Sequence, residues 1–383
     1  MQNKFWNEAI RRVIARLDDT AARLGDRFPH WADTETGDWV STDDGDWTGG
    51  YYVGMHWLSL RAEDNAARRS RAQQLALKLK PRIAVDTVFK SYPLYYGCSV
   101  GAMLGHGSEL REMGLACARS LVSMYDGKLG LIPLGSQAEE GANIGGAETS
   151  IDSMQTAPFL FWAAKQANDA KMREVAFHHA DRIGELHLRE DDSFIQSSSL
   201  DADTGKLIRH FTHKGISDTS TWGRAQAWGM LYTTMSYLHD PTQQRWLDWA
   251  VRGADWWIAH LPADHIAFWD FDDPAIPDTN RDTAATSIAC AALLRLATVA
   301  PGARAARYRE CAEQMMKAMT EQCLTPVGQD DRRAAGMLTN ACFNKRADAR
   351  PIDAGENCEF IVGDYYFFES LMTLAGHVDN RDL

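Results

Sequence analysis

Long apolar runs are missing from this chain of 383 residues. Nothing approaches the roughly 20 consecutive apolar residues that cross a bilayer. The opening stretch, residues 1–19, is broken by charges throughout, so neither a membrane anchor nor a signal peptide is expected. Basic residues are also in short supply. Forty Lys and Arg face 52 Asp and Glu, a formal charge of −12 with no basic block, which argues against nucleic acid or an anionic membrane as partner. Closely paired cysteines are absent as well. Cys98, Cys117, Cys290, Cys311, Cys323, Cys342 and Cys358 are scattered without a C-x-x-C, which excludes a disulfide framework and a zinc cluster and points to reduced, buried thiols in a cytoplasmic protein. The histidines show no metal-ligand spacing, and no phosphate-cradling glycine loop or H-E-x-x-H occurs. No cofactor and no metal are therefore expected.

Aromatic residues are plentiful: 13 Trp, 11 Tyr and 14 Phe. Several tryptophans stand in polar, glycine-containing segments, where a ring can stack on a ligand as readily as pack in a core. Helical periodicity dominates the rest. Trp6, Ile10, Val13, Leu17 and Ala21 recur at three or four residues, as do Leu110, Met113, Cys117, Leu121 and Met124, and then Tyr308, Cys311, Met315, Met319 and Cys323. Ser108 is placed to cap the second of these helices. In all, the pattern predicts about twelve helices and no strand set. Those near 90–103, 150–166, 222–238, 283–297 and 360–375 are apolar on most faces, whereas those near 107, 169, 242 and 303 carry a charged face. This alternation of buried and half-solvated helices is what a closed ring of helical hairpins produces. The long connections 126–148, 188–221, 261–281 and 324–358 are of the length at which loops are usually functional.

Four motifs bear on chemistry. Gly97-Cys98-Ser99-Val100-Gly101 fits the nucleophile-elbow pattern, but its flanks read as continuous helix rather than strand and turn, so Ser99 is read as structural. Asp86 stands seven residues before Pro93, and Asp152 six before Pro158, each followed by an aromatic run. Either this is chance or two successive hairpins each present one aspartate to a common cavity. The segment Asp43 to Tyr52 lacks the spacing of a calcium loop; Trp47 there is either a sugar-stacking ring or a packed one. In Thr221 to Gly229, Trp222 and Gln226 share a helix face and Trp228 lies on the other side. Arg224 can fork onto a substrate carboxylate or pair with an acid such as Asp218.

Taken together, the segments GDRFPH (Gly25 to His30), DWTGGYYVG (Asp46 to Gly54), Asp86 to Phe89, IDSMQTAPFLFWA (Ile151 to Ala163), STWGRAQAWG (Ser220 to Gly229), FWDFDDP (Phe268 to Pro274), RDTAATSIAC (Arg281 to Cys290) and GDYYFFESL (Gly363 to Leu371) resemble, in order, the unsaturated glucuronyl hydrolases of glycoside hydrolase family 88. The resemblance implies an all-α fold, an (α/α)6 barrel of six helical hairpins, with residues 1–383 as a single catalytic domain. It implies a substrate: an oligosaccharide ending in a Δ4,5-unsaturated uronic acid. In this family the double bond is protonated at C4 and hydrated at C5, and the hemiketal collapses. By motif position, Asp152 becomes the general acid and base, and Asp86 the partner that stabilises the cation and orients the ring. Trp47, Trp222 and Trp228 become stacking walls, while His213 and Arg224 are further binding candidates, with Arg281 beside them. Two departures concern specificity. Gln196 stands where the family has a histidine, and Lys214 interrupts a His-Gln-Gly. Lys214 then either answers a substrate anion or points to solvent or Asp218.

The competing readings are an unsaturated rhamnogalacturonyl hydrolase, a polysaccharide lyase on the same fold and a non-catalytic sugar-binding barrel. The matched aspartates and the WGRAQAW segment favour the glucuronyl side. No feature of the sequence sets an oligomeric state.

Overall fold

The computed structural model describes residues 2–139, 147–325, 333–347 and 349–383. Helix α1 (Gln2–Leu24) opens the chain, and all five residues of its predicted stripe are buried. There follow α2 (Gly49–Ala62), α3 (Ala66–Lys78), and a rod made of α4 (Ser91–Leu94), a π-helical turn (Tyr95–Ser99) and α5 (Val100–Met103). Next come α6 (Ser108–Ser123), α7 (Thr156–Ala167), α8 (Ala170–His187), α9 (Gly223–His239) and α10 (Gln244–His260). The last are α11 (Thr283–Leu296), α12 (Arg304–Gln322) and α13 (Ile361–Leu374).

The inner ring is α2, the α4–α5 rod, α7, α9, α11 and α13, each packed on the next and α13 closing back onto α2. Their outer partners α1, α3, α6, α8, α10 and α12 pack against them from outside. This is the (α/α)6 barrel. The alternation read from the sequence has a simple cause: an inner helix touches neighbours on every side and is therefore mostly apolar, as α11 is, with every residue buried. Close approach is built in where α2 crosses α4. A Cβ on Gly50 would lie 2.4 Å from the Pro93 Cα, so only glycine fits.

Three local expectations need correction. Helix α6 takes Gly107 as its N-cap, with φ +119°, and Ser108 is already the first helical residue. Strands exist: β1 (Phe28–Asp33), β2 (Trp39–Thr42), β3 (Glu148–Ser150), β4 (Ser197–Leu200), β5 (Leu207–Phe211) and β6 (Cys358–Phe360) form two antiparallel sheets, ordered β2-β1-β6 and β3-β4-β5. They are too short, and too evenly buried or exposed, to alternate visibly. Met124 lies just past the end of α6 and is only half-buried. Ser99, by contrast, behaves as read: it is fully buried within the inner rod. Among the described residues no helix is long and apolar enough to cross a membrane.

Candidate active site

Up-and-down alternation makes all six inner helices run the same way, so the residues just ahead of them gather at one end of the barrel. Those positions hold Trp47 before α2, Asp86 before α4, Asp152 before α7, Trp222 before α9, Asp282 before α11 and Phe360 before α13. The two aspartates of the internal match thus do precede successive inner helices.

Asp152 sits in a 3-10 turn, Ile151–Gln155, and is 4% exposed. The turn is held from several sides. The Ile151 N–H donates to the Gln196 carbonyl at 2.8 Å, the Tyr92 hydroxyl to the Asp152 carbonyl at 2.6 Å, and Ser153 Oγ to the Ser150 carbonyl at 2.7 Å. Tyr92 in turn lies edge-on to Trp47, centroids 5.7 Å apart, and beside Trp228 at 6.0 Å. Trp228 stacks nearly parallel on Tyr232 at 5.2 Å, deeper in the barrel.

Lys214 points inward. Its Nζ lies 5.4 Å from the Trp47 ring centre, 5.6 Å from Trp222 and 5.8 Å from Phe343, and the residue is 5% exposed. An ammonium among three ring faces is stabilised by their quadrupoles. Lys214 does not point to solvent, and Asp218 pairs with Arg209. Lys214 also acts on Asp353: burial works to raise that carboxyl, but bonds from His30 and Arg350 and the Lys214 charge outweigh it and hold it below its ordinary value.

Gln196 explains how the lysine is aimed. Its Oε1 accepts from Thr212 Oγ1 at 2.6 Å and from the N–H groups of His213 and Lys214 at 3.2 and 3.1 Å. Its amide nitrogen faces His213 Nε2 at 3.2 Å, while His213 Nδ1 meets Ser197 Oγ at 3.1 Å. Asp152, Trp47, Lys214 and Gln196, picked from four separate stretches of sequence, are therefore joined through Tyr92 and the Ile151 backbone into a closed circuit.

Asp86 and Arg224 have partners that the sequence did not indicate. Asp86 is exposed, and its carboxylate accepts from Ser136 N–H at 3.0 Å and Ser136 Oγ at 2.5 Å. Those two bonds hold its pKa below the usual range, keeping it ionised. Arg224 is buried and donates to Asp282 Oδ2 at 2.6 Å, to the Cys342 carbonyl at 2.6 Å and to the Phe343 carbonyl. It locks α9 to the cap of α11 and sets the segment that carries Phe343; it does not pair with Asp218. Arg281 lies over Phe268 and pairs with Asp264 at 2.7 Å.

The sequence reading passed over Tyr92, His30, Asp353 and Phe343. Tyr92 carried a signal, standing next to Pro93 in the internal match. Phe343 carried none, being one aromatic in a long connection. Among the described residues no group of three or more His, Cys, Asp or Glu is placed to hold a metal ion.

Fold and rim together define an (α/α)6 barrel whose mouth holds a buried carboxyl beside an aromatic box around a cation. In sequence and structure the chain is a relative of the unsaturated glucuronyl hydrolases. It is 28% identical over 378 residues to the unsaturated glucuronyl hydrolase of Bacillus sp. strain GL1, covering 97% of each chain. To the unsaturated chondroitin disaccharide hydrolase of Streptococcus pneumoniae it is 25% identical, covering 95% of this chain and 90% of the other. The solved structure of the Bacillus sp. GL1 enzyme, described as responsible for the degradation of glycosaminoglycan, superposes with a TM-score of 0.87 at 27% identity over 96% of each chain. No family model matches the chain.

Proposed function

We propose that this protein removes a non-reducing-end Δ4,5-unsaturated uronic acid from short oligosaccharides by hydrating its double bond, with residues 1–383 acting as one catalytic unit. The observation that carries the proposal is the circuit that brings a nearly buried Asp152 to an aromatic box containing Lys214. An enol ether must be protonated at carbon, which calls for a neutral carboxylic acid, and withdrawing a carboxyl from water favours that form. Asp152 delivers its proton to C4, and positive charge develops at C5 and the ring oxygen. Water adds at C5 as the Asp152 carboxylate takes the proton back. The resulting hemiketal opens to a ketone, and the hemiacetal left at C1 releases the remaining sugar. The distance rule for paired carboxylates in ordinary glycosidases does not apply, because no group attacks the anomeric carbon.

In this reading Asp86, kept ionised by Ser136, supports the developing cation and the ring hydroxyls. Trp47, Trp222 and Trp228 with Tyr92 form the walls, and Lys214 meets the uronate carboxylate or another substrate anion. Gln196, His213 and Arg224 hold these groups in position. Seven free, buried cysteines support a reducing compartment, and we place the enzyme in the cytoplasm, acting on disaccharides already imported. The test is turnover of an unsaturated disaccharide in oxygen-18 water. The label is expected on C5 of the released 4-deoxy-5-keto uronate, with loss of the ultraviolet absorbance of the double bond. Label at the anomeric carbon would reject the hydration mechanism.

A further inference from the structure

His179 lies on the outer helix α8, fully buried and away from the aromatic box. Both its ring nitrogens are committed to backbone groups. Nδ1 is 3.0 Å from the Ile132 N–H, and Nε2 is 2.9 Å from the Ser153 carbonyl. An N–H can only donate and a carbonyl can only accept, so the ring is neutral with its proton on Nε2. Burial favours the same state, pushing the pKa down to about 4.

The two groups it holds belong to the supports of the two aspartates. Ser153 is the neighbour of Asp152 in the 3-10 turn. Ile132 begins the stretch that cradles Asp86: the Leu134 carbonyl accepts from Val88 N–H at 2.9 Å, Ser136 donates twice to the Asp86 carboxylate, and the Gln137 N–H donates to the Asp86 carbonyl at 2.9 Å. Gly135 makes this cradle possible, with φ +93° and a position where a Cβ would lie 2.4 Å from the Asp86 carbonyl oxygen. One imidazole thus bridges the supports of both carboxylates, although it touches neither.

Resting on the reaction proposed above, we infer that His179 is a positioning residue that sets Asp152 and Asp86 relative to each other. A shift of about 1 Å in such a relation is enough to lower a rate about a hundred-fold.

Two near-isosteric variants separate the bonds. In His179→Asn the amide oxygen takes the place of Nδ1 and keeps Ile132 while releasing Ser153; in His179→Gln the amide nitrogen takes the place of Nε2 and keeps Ser153 while releasing Ile132. Hydrogen exchange followed by mass spectrometry on the full chain should show faster exchange over residues 131–137 in His179→Gln and over the 150–156 turn in His179→Asn. On an unsaturated disaccharide each should lower kcat about ten- to a hundred-fold with KM little changed, at unchanged circular dichroism. Unaltered exchange in both segments, or altered exchange with native kcat, would overturn the inference. A wild-type protein inactive on every unsaturated disaccharide would instead reject the proposed reaction, and the exchange data would still decide whether His179 ties the two segments.

Discussion

Asp152 and Lys214 are the two side chains whose chemistry is most exposed to test. Asp152→Asn keeps the shape of the side chain and removes its proton. The expected result is a fall in kcat of about three decades or more, close to 4 kcal/mol of barrier, with substrate binding retained. A variant with most of its activity would remove Asp152 from the acid role. Lys214→Gln should weaken kcat/KM for an anionic substrate by roughly 1.5–3 kcal/mol, the range for hydrogen bonds to a charged partner, and affect a less charged analogue much less. Because Lys214 is 5% exposed, salt screens it weakly, and the difference between the two substrates should persist at high ionic strength. Equal losses on both substrates would assign the lysine to holding the box together.

At the scale of elements, the barrel supplies rigid ends and the connections supply the site. The β3-β4-β5 sheet delivers Gln196 next to the Asp152 turn, and Gln196 then pins the 212–214 loop by three bonds to one oxygen. Gln196→Ala removes the acceptor of three donors, two of them buried, of which the Lys214 N–H keeps only its 3.3 Å bond to Thr212 Oγ1, and each buried group left unsatisfied costs about 1–3 kcal/mol less whatever relaxation recovers. The variant is expected to melt at lower temperature and to raise KM through loss of Lys214's aim, with no change in the site of oxygen-18 incorporation. Gln196→His alone should be nearly as damaging here, since an imidazole nitrogen accepts one bond where the amide oxygen accepts three. An unchanged KM in either variant would show that the loop is held by other contacts. Gln196 and Lys214 were each visible as departures from the family; that one supports the other was not, because a hydrogen bond across 16 to 18 residues leaves no local pattern.

For the whole molecule, four histidines make stability depend on pH. His56 and His187 are pushed down to about 3, and His179 and His239 to about 4, each chiefly by burial. They stay neutral in the fold, while the unfolded chain takes up protons below the ordinary histidine value near 6.5. Their contribution is complete above that value and is lost as pH falls toward 4, by about 1.4 kcal/mol per pH unit for each ring that stays neutral. Urea unfolding at pH 7, 6 and 5 should therefore show a free energy that drops steeply below pH 6.5, with about two to four protons taken up on unfolding near pH 5. A flat profile across that range would mean that these rings charge without unfolding.

Legible in the chain alone is whatever repeats locally: the buried stripe of α1, the mostly apolar inner helices, the aspartates placed just ahead of two of them, and the eight segments in family order. Helix packing is written in a period of 3.6 residues, so it can be read in one dimension. The tertiary structure alone decided which partner each polar group meets. On paper Arg224 could fork onto a substrate carboxylate or pair with an acid such as Asp218, and it meets Asp282; Lys214 could answer an anion or point to solvent or Asp218, and it sits among three rings. Asp86 meets Ser136, fifty residues away. Such choices depend on which chain segments burial brings within hydrogen-bonding distance, and that is settled only when the ring of hairpins closes.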